Sequence, residues 1–271
     1  MKNNQEKQSF GVWVSCFLQR IFKSKDDLGD DVDIDQLLQE VSVIDNKNVE
    51  LFPKLTEKDV YNLKEAQKKI LNMMKLLHNI CEAHNIQYFL TGGNMLGAVL
   101  YRGWIPWDVD FDVEIHNDDY DRFKEIIQKE LPDDMWYQDR EIDKNYTNQR
   151  IFGKIRDLNS CYSEYAVKHQ DWHNGLQIDL NRFHFEKNKL VMQDDKKTKS
   201  LTYDDVFPFR KMKFEDAEFY VINNPFKYLN KKYGTKWRTI LPLKSRKPHE
   251  GLVEPFKTCE FHYAKYPELY K

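Results

Sequence analysis

From Asp108 to Ile115 the chain reads DVDFDVEI, a carboxylate at every second position and an apolar residue at every other. Strict alternation predicts a β-strand with one buried face. Residues two apart share a face, so Asp108, Asp110, Asp112 and Glu114 project from one surface with roughly 7 Å between neighbours. In bulk water each neighbouring pair repels by about 0.6 kcal/mol, and near a protein surface by a few-fold more. A strand tolerates this where a cation sits on the face or where the face is open to water. A calcium loop of the EF-hand type is excluded, since it needs Gly at its sixth position and Glu at its twelfth, and Val113 and Asp119 stand there. Taken alone, the run fits a metal site and a charged edge that discourages aggregation about equally.

The residues upstream shift that balance. Tyr88-Phe89-Leu90 is a short apolar run, and Thr91 and the pair Gly92-Gly93 follow it before a helical segment. A strand that ends in such a turn offers backbone N–H groups to a phosphate. A phosphate cradle and a carboxylate cluster are complementary, because divalent ions bridge the two.

Gly92-Gly93, Leu96-Gly97-Ala98-Val99, the run Arg102 to Asp108 (RGWIPWD) and Asp110-Phe111-Asp112 closely resemble the signature of the LicD/fukutin family, within the DNA polymerase beta-like nucleotidyltransferase superfamily. The resemblance implies an α+β fold, a small mixed sheet of the nucleotidyltransferase type flanked by helices. It implies transfer of phosphocholine, ribitol phosphate or a similar group from a CDP-activated donor to a glycan or glycolipid hydroxyl, with Mg2+ or Mn2+. Asp110 and Asp112 are then the metal carriers, supported by Asp108, and Gly92, Gly93 and Asn94 hold donor phosphate. Members usually carry an Arg directly after Gly-Ala-Val; this chain has Leu100 there, and Arg102 is the candidate to replace its charge.

Two later segments complete the expected site. Arg150 to Asp157 alternates so that Arg150, Phe152, Lys154 and Arg156 share a strand face. Lys154 and Arg156 are either ordinary strand charges or, as the resemblance favours, contacts to the donor's phosphates. In Trp172 to Leu180, Asp179 lies among apolar residues, which is costly unless it is paired or metal-bound. In the superfamily a third acid arrives from a later strand, which makes Asp179 the candidate to complete the metal set and to deprotonate the acceptor hydroxyl. His173 is read as structural.

The rest divides into three parts. Residues 1–54 form an extension. Phe10, Trp13, Val14, Phe17, Leu18, Ile21 and Phe22 have helical spacing, suited to docking on protein or to a membrane interface, and residues 26–35 read as an acidic connector. Residues 55–241 form the catalytic domain. Its first helix opens at Thr56 and buries Leu63, Ala66, Ile70, Met73, Leu77, Ile80 and Cys81. A second follows the N-cap cluster Asn117-Asp118-Asp119, with Tyr120, Phe123, Ile126 and Ile127 as its apolar face. Residues 133–150 read as loop and 187–199 as an exposed hairpin or loop. Val206 to Pro208, Lys211 to Phe214 and Phe219 to Ile222 read as short strands. A last helix opens at Asn224-Pro225 and stops at Gly234. Residues 242–271 read as a tail or acceptor-side flap.

With 42 Lys+Arg against 44 Asp+Glu and a net charge of -2, no basic field points to nucleic acid. Cys16, Cys81, Cys161 and Cys259 form no C-x-x-C pair, which favours a reducing compartment over a disulfide framework. The expectation is thus a cytoplasmic, metal-dependent phosphotransferase, with peripheral membrane contact through residues 10–22 as a variant. The competing expectation is a non-catalytic family member that binds metal or nucleotide and regulates a glycosyltransferase.

Overall fold

The computed structural model describes residues 33–41, 56–164, 174–192, 196–238 and 251–270. The chain divides into two units, Met1–Glu40 and Val41–Lys271. In the first, helix α1 spans Ile34–Glu40, and Asp33 Oδ1 accepts the N–H groups of Asp35 (2.9 Å) and Gln36 (3.1 Å) at its start. Ile34 and Asp35, read above as the end of a connector, therefore open a helix. The amphipathic segment 10–22 lies outside the described residues.

The second unit begins with α2, Glu57–Ala83. Thr56 and Asp59 close its first turn reciprocally: Asp59 N–H donates to Thr56 Oγ1 (3.2 Å) and Thr56 N–H to Asp59 Oδ2 (3.0 Å). Such a cap stabilises a helix by about 1 kcal/mol. Every apolar residue expected on the inner face is buried, together with Leu71 and Met74.

Six strands build the main sheet, in the order β1-β2-β6-β4-β3 with β7 attached to β6. They are β1 Tyr88–Leu90, β2 Phe111–His116, β3 Met135–Asp139, β4 Gly153–Asp157, β6 Gln177–Glu186 and β7 Lys189–Met192. β2 and β6 run parallel, and the other pairs are antiparallel. The chain is thus α+β with a mixed sheet, as expected. Helix α3, Gly92–Leu100, joins β1 to β2, and α4, Asn117–Glu130, follows β2 directly. The cap of α4 is His116, one residue before the expected cluster: its Nδ1 accepts the Asp118 N–H at 3.3 Å. Tyr120, Phe123 and Ile127 are buried on this helix, whereas Ile126 is half-buried.

Several expectations change. The acidic run is not one strand, because β2 starts only at Phe111. The carbonyls of Asp108 and Asp110 are taken by the side chains of Gln67 and Asn94, both at 2.8 Å, and not by a neighbouring strand. Residues 135–139, read as loop, form β3. There Gln138 is buried, and Arg156 Nε donates to its Oε1 (3.1 Å) while its Nε2 donates to Asp143 (2.7 Å). Polar pairing of this kind hides a strand from hydropathy. β4 begins at Gly153, after a turn in which Asn148 Oδ1 accepts from Arg150 N and Ile151 N. A Cβ at Gly153 would stand 2.9 Å from the Tyr137 hydroxyl and 3.0 Å from that of Tyr120. Val206 belongs to a short helix, α5 (Tyr203–Val206), nucleated by the Thr202–Asp205 capping box.

The hairpin of β8 (Arg210–Phe214) and β9 (Ala217–Val221) follows. Helix α6 spans Pro225–Tyr233, capped by Asn224 and ended by Gly234 at φ 72°. Residues 251–270 pack into the body instead of trailing from it. β10 (Gly251–Glu254) pairs with β5 (Cys161–Glu164), α7 spans Glu260–Lys265, Asn62 Nδ2 donates to Val253 O (2.9 Å) and the Tyr266 hydroxyl to Asp143 (3.1 Å). Cys81, Cys161 and Cys259 are free thiols. Among the described residues no helix is long and apolar enough to cross a membrane.

Candidate functional site

The site forms where α3 starts, against the middle of the sheet. Asp112 on β2 stands directly opposite Asp179 on the parallel strand β6, and Asp179 stands opposite Lys154 on β4. Neighbouring strands lie about 4.8 Å apart, so the three side chains form a row across one face. Lys154 Nζ contacts Asp179 Oδ1 at 2.5 Å, and both residues are 4% exposed.

Gly92 and Gly93 close the other side of the row. Gly92 has φ +55°, and a Cβ there would lie 3.3 Å from Asp112 Oδ2. A Cβ on Gly93 would lie 2.6 Å from Asp108 Oδ2, closer than carbon and oxygen approach. A Cβ at either position would thus press on a carboxylate, and at Gly92 the backbone conformation also favours glycine. The Gly92 N–H donates to the Tyr228 hydroxyl (3.0 Å), which also bonds Thr91 Oγ1. The Asn94 N–H goes to Thr91 O (3.1 Å), and among the described residues no acceptor takes the N–H of Gly93.

Asn94 has a different place from the one expected. It is 2% exposed; its side-chain amide donates to Asp110 O (2.8 Å) and its side-chain oxygen accepts the Asp112 N–H (2.6 Å). One side chain therefore fixes the backbone on both sides of Phe111 and sets the direction of the Asp112 carboxylate. Asp110 itself is buried. Arg156, 1% exposed, is engaged by Gln138, by Gly175 O (3.1 Å) and by Gln177. Arg102 Nη1 donates to Ala98 O (3.3 Å) at the C-terminal end of α3, opposite the glycine turn. The structure brings Gly92, Gly93, Asp108, Asp112, Asp179 and Lys154 together. Asn94 and Arg156 sit beneath as supports, and Arg102 lies at the other end of α3.

Helix α6 contributes residues that the sequence reading did not assign. Lys232 Nζ lies 4.0 Å and the Tyr233 hydroxyl 3.8 Å from the position of a Gly92 Cβ. Tyr228 and Lys232 are four apart and so share a helix face, but spacing alone does not say what that face meets. His173 lies outside the described residues.

Loss of water, and then the facing charges of Asp179 and Asp108, push the Asp112 carboxyl up to about 7, while Lys232 and Lys154 pull it back. Burial also drives the Tyr233 phenol upward. Among the described residues no group of three or more His, Cys, Asp or Glu is arranged to hold a metal ion by itself. Magnesium seldom needs one, being held by one or two carboxylates together with water and substrate phosphate. Mutually repelling carboxylates beside a turn with no Cβ fit a cation of that kind, for which Asp112 and Asp108, the two beside the glycine turn, would be oxygen donors.

Fold and site together define an α+β domain whose carboxylates face each other across parallel strands beside a glycine turn. The chain belongs to the family described as LicD/FKTN/FKRP, nucleotidyltransferase domain, whose model matches residues 85–224, slightly more than half of the chain. It is 40% identical over 77 residues to the lipopolysaccharide cholinephosphotransferase LicD of Haemophilus influenzae, covering 28% of this chain and 26% of that protein. It is 26% identical over 187 residues to an uncharacterised protein of Rickettsia prowazekii (66% of this chain, 60% of the relative). A Rickettsia typhi protein, also uncharacterised, is 25% identical over 184 residues (66% and 51%). The chain thus spans between about a quarter and three fifths of the length of these relatives.

Proposed function

We propose that the protein is a metal-dependent phosphotransferase that moves a phosphocholine-like or ribitol-phosphate-like group from a CDP-activated donor to a glycan hydroxyl, breaking the donor's diphosphate bond and releasing CMP. The observation that carries this reading is the opposition of Asp112 and Asp179 against the Gly92-Gly93 turn, inside the segment that matches the family. Similarity to a cholinephosphotransferase supports phosphocholine as the first group to try.

Each residue then has a task. The Gly93 N–H and the positive end of α3 receive a phosphate oxygen of the donor. Asp112 and Asp108, with Asp179 beside them, provide a negative face that would hold a magnesium ion. A bound ion of this type neutralises phosphate charge and makes an attacking hydroxyl more acidic. Asp179 takes the proton of the acceptor hydroxyl, and Lys154, in contact with it at 2.5 Å, holds its carboxylate in place. Asn94 and Tyr228 hold the carboxylate strand and the glycine turn in register. Asp110 is kept as a further candidate ligand.

Titration calorimetry with CDP-choline and with CDP-ribitol, each with and without magnesium, tests the reading. Magnesium-dependent binding of one donor, lost in Asp112→Asn, is expected, as is product formation with a glycan acceptor. Binding without any turnover would turn the assignment toward a regulatory family member. Absence of binding by either donor would remove it.

A further inference from the structure

The expected partners of the donor's phosphates are engaged inside the fold. Lys154 holds Asp179 at 2.5 Å, Arg156 is enclosed by Gln138, Gln177 and Gly175, and Arg102 donates to the far end of α3. A diphosphate brought to Asp112 and Asp108 still needs positive charge on the open side of the glycine turn. Lys232 is there. It is partly exposed, its Nζ stands 4.0 Å from the Gly92 Cβ position, and the same Nζ lies over the Tyr228 ring, 5.7 Å from the centroid. Tyr228 in turn holds Thr91 and the Gly92 N–H. The cation and the turn are therefore placed by the same aromatic side chain.

The surroundings agree. Lys232 lies in the last turn of α6, where the helix dipole favours a cation. Lys197 Nζ donates to Lys232 O at 3.3 Å, which adds a second positive charge behind it.

We propose that Lys232 is the side chain that binds the diphosphate of the activated donor, bridging the glycine turn and the carboxylate row from α6. This rests on the reading of the glycine turn and carboxylate row as a donor site. It adds a binding residue from outside the segment 85–224 that matches the family. When the donor enters, the ammonium meets its phosphate oxygens, and no covalent bond is made or broken.

The test measures binding of magnesium pyrophosphate, and separately of CDP-choline with magnesium, to the wild type, Lys232→Met and Lys232→Arg. Lys232→Met keeps an unbranched side chain of similar length without the charge, and its thermal midpoint should match the wild type. A charged hydrogen bond to phosphate contributes about 1.5–3 kcal/mol, so Lys232→Met should bind pyrophosphate about ten- to a hundredfold more weakly, with Lys232→Arg close to wild type. Equal pyrophosphate affinity in Lys232→Met and wild type overturns the inference, as does failure of the wild type to bind pyrophosphate. Pyrophosphate binding that depends on Lys232, without binding of CDP-choline, upholds Lys232 and counts against the CDP donor instead. CDP-choline binding that is lost in Asp112→Asn but unchanged in Lys232→Met removes Lys232 and leaves the donor site standing.

Discussion

Asp112 and Asp179 face each other across parallel strands, and among the described residues only Asp179 has a cation in contact, Lys154 at 2.5 Å. The pair is therefore asymmetric. Asp179 shares its charge with an ammonium group, whereas Asp112 meets two other carboxylates and two more distant lysines.

This asymmetry predicts a pH dependence of stability. The Asp112 carboxyl is raised to about 7 in the metal-free fold, against about 3.9 in an unfolded chain. Between those values the folded state holds a proton that the unfolded state releases, so this residue lowers stability as pH rises, and the whole penalty is present above pH 7. Asp112→Asn cannot ionise. In chelator its melting midpoint should exceed that of the wild type, least near pH 4 and most above pH 7. Magnesium should then raise the wild-type midpoint at pH 8 and leave the variant unmoved. A midpoint difference that is flat between pH 4 and pH 8 would rule out the raised Asp112.

Asn94 should matter through the backbone it holds. Asn94→Ala leaves the Asp110 carbonyl and the Asp112 N–H without their buried partner, at about 1–3 kcal/mol for each group. Urea denaturation should show a loss of several kcal/mol. Asn94→Asp keeps the acceptor for Asp112 but loses the donor to Asp110 and adds a like charge, so it should also be destabilised, more at pH 8 than at pH 5. Wild-type stability in Asn94→Ala would show that the clamp does not form.

The two glycines should separate strain from crowding. Gly92→Ala forces a left-handed residue, at about 1–2 kcal/mol, and brings a methyl to 3.3 Å from Asp112. Gly93→Ala has no such backbone problem but places its methyl 2.6 Å from Asp108 Oδ2, so that flexible carboxylate must turn away. Gly92→Ala should lose more stability. Gly93→Ala should stay close to wild type in melting and lose magnesium and pyrophosphate binding, by calorimetry. The reverse order would mean that Asp108 is not at the turn.

What could be read in the chain was what local periodicity carries. The inner face of α2 repeats at helical spacing, and its Thr56–Asp59 box is contiguous, so both were legible. Asp112 and Asp179 were legible as odd charges among β-formers, although their register was not, because it depends on which strands pair. Only the start of the acidic run departs from a strand, because Gln67 and Asn94 take the carbonyls of Asp108 and Asp110 from 41 and 16 residues away. β3 was missed for a related reason, since Gln138 is buried by polar partners that hydropathy cannot see. The place of α6 at the glycine turn left no local mark, as Tyr228 is 137 residues from Thr91.

Tyr228 gives the last prediction. Its hydroxyl accepts the Gly92 N–H and bonds Thr91 Oγ1, and all three groups are buried. Tyr228→Phe keeps the ring against Lys232 but strands an N–H and a hydroxyl in the core, which costs about 1–3 kcal/mol for each group left unpaired. The expected result is a lower melting midpoint together with weaker pyrophosphate binding, because the turn that presents Gly93 loses its anchor. Lys232→Met, by contrast, should lose binding without losing stability. If Tyr228→Phe melts like the wild type and binds like it, α6 does not hold the glycine turn, and the cleft is shaped by the sheet and α3 alone.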